Sequence, residues 1–206
     1  MTLAPEIELK LAATPEILGR VLEQDWLKPL MLSSPVTSQL ISLYYDTPHL
    51  SLNSRRMALR LRYANGHWVQ SIKTQGSQVD GIWTRQEQET PSDGKALDFT
   101  VIADPNLRAF LHSVEALLKP RFVTDFIRVS QLLTCPDGTV LELALDQGEV
   151  RAGAQKAPIA EIELELVQGS LDTLVAISRQ LREHFQLQPE ATSKAEKGYA
   201  LLAEED

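Results

Sequence analysis

Charged side chains recur at every second residue in several stretches of this chain. EIELKL (Glu6–Leu11) alternates Glu6, Glu8 and Lys10 with Ile7, Leu9 and Leu11, and EIELEL (Glu161–Leu166) repeats the pattern with Glu161, Glu163 and Glu165. Arg60 and Arg62 alternate with leucines, Arg85 alternates with Glu87 and Glu89 in RQEQE, and Glu142 and Asp146 share the parity of a further run. Residues i and i+2 of a strand lie on one face about 7 Å apart, so each set forms a charged row. A solvated strand face accounts for any single row. It does not account for the whole set, because solvated faces mix Thr, Ser, Gln and Lys, whereas several of these rows carry one sign. Like charges in a row repel unless cations or metals stand opposite.

The residue types define the chemistry available to such rows. Clustered Glu and Asp without His or Cys are hard oxygen ligands suited to Mg2+ or Mn2+. Clustered Arg and Lys recognise phosphate oxygens, Arg often through paired hydrogen bonds. If the strands close with apolar sides outward and charged sides inward, one lumen holds both signs, and a metal-bound polyphosphate is the ligand that suits it. His49, His67, His112 and His184 have no metal spacing to one another, and no GxxxxGK[ST] or GxGxxG stretch occurs.

The elements that position these rows are legible in outline. Thr14-Pro15 and Asp104-Pro105 each supply a cap and a proline for a helix start. Ile17, Leu18, Val21 and Leu22 follow the first at helical period, and Leu107, Phe110, Leu111, Val114 and Leu118 follow the second. Ser170 opens a third helix with Leu174, Ile177, Leu181 and Phe185, and Ser193–Leu202 forms a short fourth. ALRLRYANGHWVQSIK (Ala58–Lys73) predicts a hairpin around Asn65-Gly66, which suits a type I′ turn. Arg55 and Arg56 read as turn or rim residues, and Lys119–Arg121 as the end of the second helix. Trp68 and Trp83 read as packing against helices rather than stacking on a base. The expected fold class is α+β: a closed antiparallel β-barrel with a charged interior and helices packed outside.

Composition sets further bounds. A length of 206 residues, a hydrophobic fraction of 43% and no linker-like tract predict a single domain over residues 1–206. The net charge of −8 argues against a dedicated nucleic-acid binder. Charge is unevenly spread, basic between Arg55 and Arg85 and acidic between Asp137 and Glu165. The lone Cys135 cannot form an internal disulfide and reads as space-filling beside a turn. With neither a signal-peptide pattern nor a membrane-length apolar run, the expected setting is reducing and cytoplasmic.

The ordered series EIELKL, YYDTP (Tyr44–Pro48), MALRLR (Met57–Arg62), IKTQG (Ile72–Gly76), RQEQE (Arg85–Glu89), TDFIR (Thr124–Arg128), LALDQGEV (Leu143–Val150), EIELEL and SKAEKGY (Ser193–Tyr199) resembles the CYTH superfamily. These are the triphosphate tunnel metalloenzymes, and the chain is most similar to their bacterial inorganic triphosphatases, here without the helical CHAD domain that some carry. The resemblance implies that Lys10, Arg60, Arg62, Lys73, Arg85, Arg128 and Lys194 bind a small-molecule triphosphate. It implies that Glu6, Glu8, Glu89, Asp146, Glu161 and Glu163 hold Mg2+ or Mn2+, with Glu6 and Glu8 catalytic through the attacking water. Glu87 and Glu165 share these faces and rank below them. The implied activity is metal-dependent hydrolysis of inorganic triphosphate to diphosphate and phosphate, with no nucleic-acid or membrane partner; oligomeric state is not read. The alternatives are a class IV-type adenylyl cyclase or a thiamine or nucleoside triphosphatase on the same fold. A non-catalytic polyphosphate-binding module is a further alternative, disfavoured because both acidic rows are complete.

Overall fold

The computed structural model describes residues 4–74, 76–79 and 82–203; Gln75 of the IKTQG stretch and Asp80 lie outside them. The strands are β1 (Ala4–Ala12), β2 (Val36–Asp46), β3 (Ala58–Ala64), β4 (His67–Lys73), β5 (Ser77–Val79), β6 (Ile82–Ser92), β7 (Lys119–Thr134), β8 (Val140–Ala152), β9 (Gln155–Gln168) and β10 (Gln188–Pro189). The helices are α1 (Pro15–Val21), α2 (Pro105–Val114), α3 (Leu171–Phe185) and α4 (Lys194–Ala203). Thr14 and Asp104 cap α1 and α2 through their side chains, each followed by proline. Asn65 (φ 51°) and Gly66 (φ 84°) both take the left-handed conformation that a type I′ turn requires between β3 and β4.

Antiparallel pairing runs β1-β9-β8-β7-β2-β3-β4-β6, and β6 returns to β1, closing an eight-stranded barrel. Closure removes the sheet edges, and the short strands β5 and β10 are additions alongside β6 and β1. Strand alternation then sorts the side chains. Leu9, Leu11, Leu143, Leu145, Ile162 and Leu164 turn outward and are buried under α1 and α3, against Leu18, Val21, Leu174, Ile177 and Leu181. Leu59 and Ile72 turn outward beneath Leu107 and Leu111 of α2. Cys135 is buried at the turn between β7 and β8.

One expectation is corrected. Residues 119–121 do not end a helix: Lys119 and Pro120 pair with Asp46 and Tyr45 as the start of β7, because proline cannot extend the helix and the segment completes the β2 ladder. The fourth helix packs on a different apolar group from the other three. Phe122, Phe126, Val150 and Ile159 share strand faces with Arg128, Asp146 and Glu161, and this interior apolar group is covered by Tyr199 and Leu201 of α4. α4 therefore closes one end of the tunnel, and its N-terminus points into the lumen. A reciprocal capping box fixes that N-terminus: Glu196 N donates to Ser193 Oγ (3.2 Å), and Ser193 N donates to Glu196 Oε2 (2.7 Å). Trp68 packs on Tyr63 and Gly94, and Trp83 carries the Arg85 guanidinium on its ring at 4.8 Å.

Close approach of α4 depends on Gly198, where a Cβ would lie 2.2 Å from the Phe122 ring. Gly19 in α1 has nothing within 4 Å of the equivalent position. Gly198→Ala is expected to destabilise the fold by about 1–3 kcal/mol through overpacking. Gly19→Ala is expected to stabilise it by about 0.5–1 kcal/mol through helix propensity. Urea denaturation of the two variants checks the opposite signs.

Candidate functional site

The lumen contains a cavity of about 210 Å³ whose wall is formed by ionisable side chains of β1, β3, β4, β6, β7 and β9 and by the first residues of α4. All seven cations expected at the site line it: Lys10, Arg60, Arg62, Lys73, Arg85, Arg128 and Lys194. Six of them are paired with carboxylates. Lys73 Nζ donates to both oxygens of Glu6 (2.7 Å each) and lies 3.1 Å from Glu87. Arg60 reaches Glu87 (3.2 Å) and Glu89 (3.4 Å), Arg85 is bonded to Glu8, and Lys10 reaches Glu163 at 2.5 Å. Arg128 binds Asp146 through two parallel hydrogen bonds (2.8 and 2.7 Å) and also touches Glu163. Lys194 sits among Asp146 (2.6 Å), Glu163 (3.0 Å) and Glu161.

These pairs counter the cost of burial. Burial opposes the charge of Glu163, yet Lys10, Lys194 and Arg128 hold its carboxyl well below the ordinary range. Glu87, against the same desolvation, is held down to about 2 by Arg60 and Lys73.

Arg62 is the exception. Its Nε donates to Ser42 Oγ at 3.0 Å, and it has no ion pair among the described residues. Burial and the neighbouring Arg60 and Arg128 push its guanidinium down to about 10. Beneath it lies buried Phe126, whose ring also faces Arg128 (5.8 Å) and Lys194 (4.9 Å), with Arg62 at 6.0 Å. Three cations thus share one aromatic floor, and their outward sides form an electropositive wall suited to an anion.

The opposite imbalance lies across the lumen. Glu165 of β9 stands directly opposite Glu8 on β1 and Glu142 on β8. Like charges directly opposite one another destabilise a sheet, and among the described residues neither Glu165 nor Glu142 has an ion pair. Burial, Glu6 and Glu142 push the Glu165 carboxyl up to about 7. Glu6 is raised as well, chiefly by burial and by Glu8 and Glu87 against the pull of Lys73. Glu165 and Glu142 thus bring carboxylate oxygens, the donor chemistry of a divalent cation site, that no protein cation among the described residues pairs with. Asp146, Glu161 and Glu163 have carboxylate oxygens within 4.8 Å of one another and form a second acidic group. There, however, the ammonium of Lys194 already stands between them.

The acidic residues expected from sequence are therefore not equivalent. Glu6, Glu8, Glu89 and Glu163 line the cavity, whereas Asp146 and Glu161 are fully buried beneath Lys194. Glu87 and Glu165, ranked lower on sequence, line the cavity too. Sequence reasoning missed Phe126, Ser42 and Ser71. Phe126 shares its strand face with Arg128 in TDFIR, which is the signal that could have found it. Ser71, whose Oγ donates to Glu87 at 2.8 Å, falls on the parity of Lys73.

Comparison with known proteins agrees with this geometry. An inorganic triphosphatase of Haemophilus influenzae is 34% identical over 196 residues, covering 95% of this chain and 54% of the relative, so the chain spans about half that protein's length. A candidate adenylyl cyclase from Hippeastrum with a dominant triphosphatase activity shares the fold (TM-score 0.62, 20% identity, 98% of this chain and 96% of that one). So does a candidate adenylate cyclase of Bacillus halodurans (TM-score 0.56, 17% identity, 91% and 93%). Residues 4–199 match the CYTH domain, and the chain belongs to the CYTH family.

Proposed function

We propose that the chain hydrolyses inorganic triphosphate to diphosphate and phosphate with the aid of Mg2+ or Mn2+. The observation that carries this reading is Arg62: a cation held inside the barrel beside two other arginines without a carboxylate of its own. The relative from Haemophilus influenzae, named an inorganic triphosphatase, supports the same substrate class. Cavity size supports a small anion, since about 210 Å³ lies below the roughly 300–1,000 Å³ of sites for drug-sized ligands.

Arg60, Arg62, Lys73, Arg85, Arg128, Lys10 and Lys194 grip the phosphate oxygens and stabilise the charge that grows on the leaving diphosphate as the bridging P–O bond breaks. Glu6, Glu8 and Glu165, with Glu163 beside them, are the residues that would hold a divalent cation. When bound, such a cation neutralises phosphate oxygens and lowers the pKa of water. Glu6 and Glu8 accept hydrogen bonds from the attacking water and orient it towards the terminal phosphorus. The reading is of a cytoplasmic activity on a small anion, without nucleic-acid or membrane partners. No helix among the described residues is long and apolar enough to cross a membrane.

One observation favours a second reading. An adjoining cavity of about 310 Å³ shares Lys73 and Arg85 with the first and is lined by Trp83 and Met57. An organic group on the end phosphate would fit there, as in a nucleoside or thiamine triphosphate. Phosphate release from inorganic triphosphate, ATP and thiamine triphosphate, each with Mg2+ or Mn2+, separates the readings. Inorganic triphosphate is expected to be turned over with the highest kcat/KM; preference for an organic triphosphate, or accumulation of cyclic AMP, contradicts the proposal.

Two variants probe the two charge imbalances. Arg62→Ala is expected to raise KM for triphosphate at least about tenfold, the worth of a lost charged hydrogen bond. Its thermal midpoint should be unchanged, because no ion pair is lost; steady-state kinetics and a thermal melt report both. Glu165 binds a proton more tightly in the folded chain than in the unfolded one, so stability falls as pH rises from about 4.5 towards 7. Metal-free Glu165→Gln is therefore expected to be more stable than the parent by about 1–2 kcal/mol at pH 8, after allowance for partial exposure, and no more stable at pH 4. Denaturation at the two pH values gives the comparison.

A further inference from the structure

We infer that Asp46 and Tyr199 are positioning residues that set how far α4 carries Lys194 into the tunnel. The inference rests on the triphosphatase reading, which counts Lys194 among the phosphate-binding cations.

Asp46 is fully buried at the end of β2. Its Oδ1 accepts from the backbone N–H of Thr47 (2.7 Å) and Leu52 (2.9 Å), and its Oδ2 from that of Asn53 (2.9 Å). Three amides therefore fix the carboxylate to the segment that leads into β3, the strand bearing Arg60 and Arg62. The fourth bond leaves this segment: Tyr199 Oη donates to Asp46 Oδ2 at 3.0 Å. The Tyr199 ring packs edge-on against Phe122 at 5.0 Å, and Phe122 stacks on Tyr44 at 4.6 Å. The Tyr44 hydroxyl in turn accepts from Arg60 Nη1 at 3.3 Å. α4 is thus tied to the wall that carries the phosphate-binding arginines.

Charge alone does not fix the depth of α4. Lys194 reaches Asp146, Glu161 and Glu163, but Lys197, one turn further along the same helix face, lies 3.4 Å from Glu161 as well as 3.0 Å from Glu190. A slide of α4 by about one turn, roughly 5 Å, would offer Lys197 to the acidic group that Lys194 now fills. Together with the fit of Gly198 against Phe122, the Tyr199–Asp46 bond distinguishes the two registers, because only the present one brings the hydroxyl to a carboxylate already anchored by three amides. Tyr199 and Asp46 therefore act through Lys194 and do not touch substrate.

Tyr199→Phe removes the hydroxyl and keeps the ring on Phe122, whereas an Asp46 variant would also free three buried amides. In the parent background Tyr199→Phe is expected to lower kcat/KM for triphosphate about tenfold, mainly through KM. In a Lys194→Ala background it should lower it less than about twofold, because the residue through which it acts is gone. A slowly exchanging 15N signal from the enclosed Lys194 ammonium should be present in the parent protein and lost in Tyr199→Phe. Equal losses of kcat/KM in both backgrounds, or an unchanged ammonium signal, overturn the inference. If the parent protein turns over no triphosphate, the triphosphatase reading fails, and the ammonium signal still decides the position of Lys194.

Discussion

A closed β-barrel has an inside that nothing else can cover, and this one fills its inside with charge. Burying a carboxylate or an ammonium group costs several kcal/mol unless an opposite charge and further hydrogen bonds meet it. The fold is stable only if the charged faces of β1, β3, β4, β6, β7, β8 and β9 are in mutual register. The ladders supply that register: Lys10 stands opposite Glu163 and Arg128 opposite Asp146. Both pairs are also bonded through their side chains. A slip of one residue would turn the charged rows into the apolar layer beneath α1 and α3 and the leucines into the lumen.

Pairing inside the barrel is nearly complete, and the exceptions are informative. Among the described residues Arg62 lacks an anion on one wall, while Glu165 lacks a cation on another. A fold selected for stability alone would place these two in contact. Keeping them apart leaves the lumen polarised, with one region short of negative charge and another short of positive charge. Only a ligand that brings both signs relieves both deficits, and an anion travelling with a divalent cation does so.

The barrel and its charged lining were legible because a period of two with uniform polar faces is a strong signal. The hairpin at Asn65-Gly66 was legible for an equally local reason. The role of α4 was not. A ten-residue helix with apolar residues on one face reads as an ordinary surface helix. Its place follows from Gly198 meeting Phe122 and Lys194 meeting three carboxylates, contacts made across long sequence separations. For the same reason the rank order within the acidic rows was not legible. Glu161 and Glu165 occupy equivalent positions in EIELEL, yet the first lies beneath Lys194 and the second faces the cavity with no ion pair among the described residues.

That difference within one hexapeptide shows how a single helix divides a tunnel. Where α4 enters, Lys194 and Lys197 meet the carboxylates of Asp146, Glu161 and Glu163, and Tyr199 and Leu201 cover the interior apolar group. Beyond the reach of Lys194 the same acidic strand continues to Glu165, which has no ion pair among the described residues, and burial with repulsion from Glu6 and Glu142 makes its carboxyl hold its proton more tightly. The boundary between the two regimes falls at Glu163, which touches Lys10, Arg128 and Lys194 and also lines the cavity. A shorter reach of Lys194 would leave Asp146 without that cation; a deeper one would fill part of the cavity. The depth of one helix therefore sets both the open volume of the lumen and the number of carboxylates that meet a protein cation.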